Sequence, residues 1–186
     1  MLINKDKCHL IAMNLQKEFL PSLPDCQSLI DSNVWLLDVA QTFNIVSSVI
    51  YHIKLGETLP SIEKMSTHST IFETYELSIV KETSILEHVK NSNKEQIILS
   101  GPETHISILQ TALDLKMMNY DVLVVIDACS SRNIIDHQYG IDRLKQNNVT
   151  LITKEMLFFE LLQRSNYPNY IDHSLKFLDR RYIREF

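Results

Sequence analysis

Hydrophobic positions in this chain fall into short unbroken runs separated by stretches in which they recur every third or fourth residue. The runs are Cys8 to Met13, Ile45 to Ile53, Ile97 to Leu99, Val122 to Ile126 and Val149 to Ile152. Runs of this length, rich in Ile and Val and bounded by polar residues, predict strands buried on both faces. Helical spacing dominates between them. It predicts helices over 26–43 (starting at Asp25 or Ser28), 82–90, 108–118, 135–147 and 154–163. Ile71 to Leu77 predicts a short third strand of mixed character, and residues 61–70 are polar without a clear period. Strands that alternate with helices along the whole length imply a parallel sheet with helices on both faces. The expected class is therefore α/β, a three-layer α/β/α sandwich around about six parallel strands. One domain over residues 1–186 accounts for the chain, with 167–186 as a C-terminal tail or helix that packs on a neighbouring subunit.

Composition narrows the function classes. The chain has 186 residues, 45% of them hydrophobic, which suffices for one full-sized core. A net charge of −5 leaves no basic excess to neutralise phosphates, so a general nucleic-acid binder is not expected. Cys8, Cys26 and Cys129 are widely spaced and form neither a CxxC pair nor a zinc-spaced cluster, which suits a reducing compartment. A short apolar run interrupted by Asn14 and Gln16 is neither a signal peptide nor a membrane span, so a cytoplasmic location without membrane attachment is expected.

The chemistry concentrates in one stretch. Ile97 to Leu99 leads through Ser100-Gly101-Pro102-Glu103-Thr104-His105 into the helix that holds Ser107 near its start. In an open α/β sheet ligands bind beyond the carboxyl ends of the strands. Asn14 and Gln16, at the end of the first strand, share that edge.

Four segments resemble the isochorismatase-like cysteine hydrolases: Leu10 to Pro21, Gly101 to Leu115, Val122 to Arg132 and Thr153 to Leu161. The resemblance implies the sandwich fold and a homo-oligomer. It also implies hydrolysis of small amides, imides or vinyl ethers by a Cys nucleophile, an Asp that accepts its proton and a Lys that orients both. Here the Cys position falls on Ser107 and the Asp position on Asn14. Counting back from the Gly101 turn without a gap, the Lys position falls on Glu73; His68, Ser69 and Lys81 are the alternatives. All three catalytic side chains are then replaced. The resemblance further implies an oxyanion turn built from Pro102, Glu103 and Ser107, with a cis Pro102–Glu103 bond.

Two functions follow as expectations. One is a family member without the cysteine-hydrolase activity, which binds a small ligand or a protein partner. The other is a hydrolase of a small amide or ester in which Ser107 attacks with His105, Glu73 or His68 as base. Neither requires a cofactor. His52 lacks the Asp and further histidines of a nicotinamidase-type metal motif, so no metal site is expected. Asp127 and Arg132 read as structural groups, Cys129 as a small buried apolar one, and Met117, Met118, Phe158 and Phe159 as core or subunit contacts.

Overall fold

A computed structural model describes residues 2–164 and 166–178. Six strands form one sheet: β1 (Cys8–Met13), β2 (Val46–His52), β3 (Thr70–Thr74), β4 (Gln96–Pro102), β5 (Asp121–Ser130) and β6 (Thr150–Ile152). Their spatial order is β3-β2-β1-β4-β5-β6, and every neighbouring pair is parallel. The α-helices are α1 (Cys26–Thr42), α2 (Pro60–Met65), α3 (Thr83–Asn91), α4 (Leu109–Met117), α5 (Ile134–Gln146), α6 (Lys154–Leu162) and α7 (Tyr170–Phe177). This is the expected three-layer sandwich.

The core is divided by the sheet. On one face Leu10, Ala12, Val49 and Ile98 pack with Leu36, Leu37 and Ala40 of α1 and with Phe158 of α6. On the other Ile11, Met13, Ile50 and Leu99 pack with Ile85 and Val89 of α3, Leu109 and Leu115 of α4, and Leu144 of α5. Alternate residues along each strand serve opposite layers, so both layers must be apolar and the strands read as unbroken runs. Side-chain caps start three helices, with Asp25 accepting from Ser28 N, Asn133 from Ile135 N and Thr153 from Met156 N.

Several expectations change here. The stretch without a period contains α2, entered through Pro60. β5 extends past Ile126 to Ser130 because Cys129 and Ser130 pair with Gly101 and Pro102 of β4. The described part of the C-terminal region packs on this chain. In α7, Phe177 is buried in the core, its carbonyl accepts a hydrogen bond from Trp35 Nε1 at 2.9 Å, and Lys176 pairs with Asp38 at 2.6 Å. The rest of the tail, with Tyr182, lies outside the described residues. No helix among the described residues is long and apolar enough to cross a membrane.

Candidate functional site

From β1 the chain moves outward to β2 and then β3, and from β4 it moves the opposite way to β5 and β6. The direction reverses between β1 and β4, and in open α/β sheets the crevice at the carboxyl ends of such a switch point is where ligands bind. Asn14 leaves β1 and Glu103 leaves β4 at this point. Both have left-handed backbone, with φ of 58° and 59°. Gly101 needs its own positive φ of 126°: a Cβ there would lie 2.2 Å from the Met13 carbonyl oxygen. β1 and the turn after β4 thus meet backbone to backbone.

This turn corrects one expectation. Every peptide bond among the described residues is trans, Pro102–Glu103 included. The positive-φ pair Gly101 and Glu103 reverses the chain instead. The oxyanion-hole geometry expected from a cis bond goes with it.

Residues 104–108 form one widened helical turn ahead of α4 and bring Ser107 back over the end of β1. There the Asn14 side-chain amide donates to Ser107 Oγ at 3.1 Å, with both residues only 4% exposed. Among the described residues, Asn14 is the one side chain within hydrogen-bond distance of that hydroxyl. The polarity matters: an amide nitrogen that donates to an oxygen cannot also take its proton.

The candidate bases are placed elsewhere. His105 turns toward α5, with Nδ1 3.0 Å from Ser131 Oγ and Nε2 4.0 Å from Asp136. Gly140 of α5 seats against it, since a Cβ there would come within 3.0 Å of His105 Cα. His68 and Ser69 precede β3, at the amino edge of the sheet, where they bond to Thr67 and Ser47. Lys81 lies beside Gln110 and Asp114 on the outside of α4.

Glu73 is not brought to Ser107 either. It pairs across the sheet with Tyr51, which packs against the α1 layer, and it lines an open groove with Gln16, Lys17 and Glu63. Its neighbours Phe72 and Thr74 occupy the alternate positions, and Phe72 packs in the α3–α4 layer. Thr74, buried at the end of β3, is therefore the residue there that shares the Ser107 side of the sheet.

Around the crevice lies a polar frame that sequence reasoning largely missed. Glu103, 5% exposed, accepts at Oε1 from both the backbone N–H and Nε of Arg132, at 3.3 and 2.9 Å. Its Oε2, buried and without a hydrogen bond, lies 3.4 Å from His105 Nδ1. Thr104 donates to the Ser130 carbonyl and so accepts from His137 Nδ1, which places the neutral ring's proton on Nδ1. Burial, and the charge that His105 can carry, hold the His137 pKa below its usual value. Cys129 is a closed thiol, pushed up to about 12 by burial. Asp127 accepts from Lys154 N, a loop-backbone role of the kind expected for it. His52 Nδ1 accepts from Lys54 N within its own turn, and no metal-ligating cluster occurs among the described residues.

A model of the isochorismatase domain matches residues 8–156. The chain belongs to the isochorismatase family. Isochorismatase family protein 2A of Dictyostelium discoideum is 29% identical over 171 residues, covering 87% of this chain and 85% of that protein. Isochorismatase domain-containing protein 2A of Mus musculus is 28% identical and covers 87% and 78%. Among solved structures, the MAR1 ribonuclease of Caenorhabditis elegans superposes with a TM-score of 0.89 at 25% identity, over 100% of this chain and 99% of that one. The YcaC product of Escherichia coli, described as an octameric hydrolase of unknown specificity, has a TM-score of 0.88 at 20% identity, covering 95% and 88%. In this chain the turn after β4 meets the end of β1 through an amide–hydroxyl pair, Asn14 with Ser107.

Proposed function

We propose that this isochorismatase-family protein lacks the family's cysteine-hydrolase activity and uses the crevice between β1 and β4 to bind a small ligand. The observation that carries this reading is the Asn14–Ser107 hydrogen bond, 3.1 Å with the amide as donor. A serine hydroxyl needs an adjacent base to become a useful nucleophile, and an amide is not one. Of the groups that could have served instead, His105 is turned toward α5, His68 lies at the amino edge of the sheet and Glu73 faces the opposite layer.

A homo-oligomer fits the octameric assembly of the E. coli relative. The ribonuclease activity in the name of the C. elegans relative transfers poorly, because a chain with net charge −5 has no basic excess to hold RNA.

The test is hydrolysis of a panel of small amides and esters by the natural chain and by Ser107→Ala. Equal background rates are expected, and a rate lost on substitution would refute the reading. Asn14→Asp with Ser107→Cys and Thr74→Lys restores the three functional groups on one side of the sheet, so thiol-dependent turnover is expected from that variant alone.

A further inference from the structure

Helix α5 turns one face to the core and leaves the other uncovered by any described residue. Gly140, Ile141 and Leu144 are buried beneath it. On the outer side Ile135 and Tyr139, one turn apart, are 61% and 68% exposed, and Ile134 in the first turn is 70% exposed. A single exposed apolar residue is ordinary, but three so close together on one helix make a patch.

The charges around this patch suit a copy of itself. Asp136 and Asp142 balance Arg143 and Lys145, so the helix carries no net charge in a chain of net charge −5, and two copies of it meet without repulsion. Lys145 pairs with Asp142 within the helix at 3.6 Å. That leaves Asp136, whose nearest cation is His105 Nε2 at 4.0 Å, and Arg143, whose side chain has no ion-pair or hydrogen-bond partner among the described residues. Seven residues separate them, so they share a side of the helix with Tyr139 between them.

The two charges stand about 5 Å either side of the point midway between Tyr139 and Gly140. A two-fold axis through that point, perpendicular to the helix, lays α5 antiparallel on the α5 of a second copy. Each Asp136 then lies level with the partner's Arg143, and a single contact makes both pairs while burying Tyr139 from each side. At the far end of α5, Met117 of α4 lines the same groove as Asn147 and is 76% exposed. The antiparallel arrangement carries Ile134 and Ile135 of one copy toward Met117 of the other, so the apolar groups also match.

We propose that the outer face of α5 is an isologous interface between two copies of this chain, closed by reciprocal Asp136–Arg143 pairs. The proposal rests on the homo-oligomer reading above and assigns it a surface.

The test measures the mass of the full chain by sedimentation velocity or light scattering. A dimer or a multiple of one is expected. Asp136→Arg opposes two arginines at each end of the contact, and Arg143→Asp opposes two aspartates. Each variant, with its fold checked by circular dichroism, should lower the mass at least twofold. Mixed in equal amounts, the two variants are complementary at both ends and should recover the lost mass as hetero-pairs. Tyr139→Glu alters an exposed side chain and sets two carboxylates beside the axis, so it should also lower the mass at least twofold, and it decides the matter even if a charge variant fails to fold. Folded variants that keep the natural mass, or a mixture of folded charge variants that stays at the lower mass, would overturn this proposal and leave the homo-oligomer reading standing. A monomeric natural chain would overturn both.

Discussion

His9 makes the stability of this protein acid-sensitive in a way that can be worked out in advance. It sits fully buried in the central strand β1, with Nε2 bonded to Ser48 Oγ at 2.8 Å and Nδ1 lacking any hydrogen-bond partner. The His88 ring packs edge-on against it, 5.5 Å between centroids, and the Lys94 ammonium also acts on it. Burial first, then the electrostatic effect of His88 and Lys94, pushes the His9 pKa down from 6.5 to about 3. The folded chain thus refuses a proton that the unfolded chain accepts below pH 6.5. Stability contributed at neutral pH is lost as pH falls through this window, at up to ~1.4 kcal/mol per pH unit. Between pH 7.5 and pH 5 the loss from this one group comes to ~2 kcal/mol. Replacing His9 with Leu removes the proton and nearly conserves volume, though it leaves the Ser48 hydroxyl unpaired, a cost of ~1 kcal/mol that does not vary with pH. Urea unfolding of both proteins at pH 7.5, 6 and 5 provides the comparison. The stability of His9→Leu relative to the natural chain should rise by ~2 kcal/mol from the highest to the lowest pH, while contributions from His137 and the carboxylates cancel in the difference. A difference that stays constant with pH would refute the reasoning.

Two other outcomes follow from the packing. Gly101→Ala should destabilise the fold by more than ~3 kcal/mol in urea unfolding, since its Cβ would stand 2.2 Å from a fixed backbone oxygen at a φ of 126°. Thiol labelling at pH 8 should modify half-buried Cys26 first, with Cys8 and Cys129, each pushed up to about 12 by burial, reacting only on unfolding; early loss of the Cys129 thiol would contradict its closed environment.

The fold was legible because a parallel sheet covered on both faces writes itself as aliphatic runs, and Val122 to Ile126 is the clearest of them. What the runs conceal is pairing. β5 continues through Asp127 and Ser130 only because the end of β4 lies beside it, and no local signal marks that extension. The same limit governs the site. The family resemblance paired Asn14 with Ser107, and both follow recognisable strands at the edge where the topology reverses. Counting residues back to β3 reached Glu73, but a count does not see strand parity, and adjacent residues face opposite layers. His105 lies two residues from Ser107 in sequence, yet Ser131 and Asp136, brought in by β5 and α5, set its direction. Arg132 was legible as an ion-pairing residue; that its partner would be Glu103, with the guanidinium over Phe19, depended on three separate loops meeting. The residues that carry chemistry were thus the easiest to name, and the polarity between them, which decides whether chemistry occurs, belongs to tertiary structure.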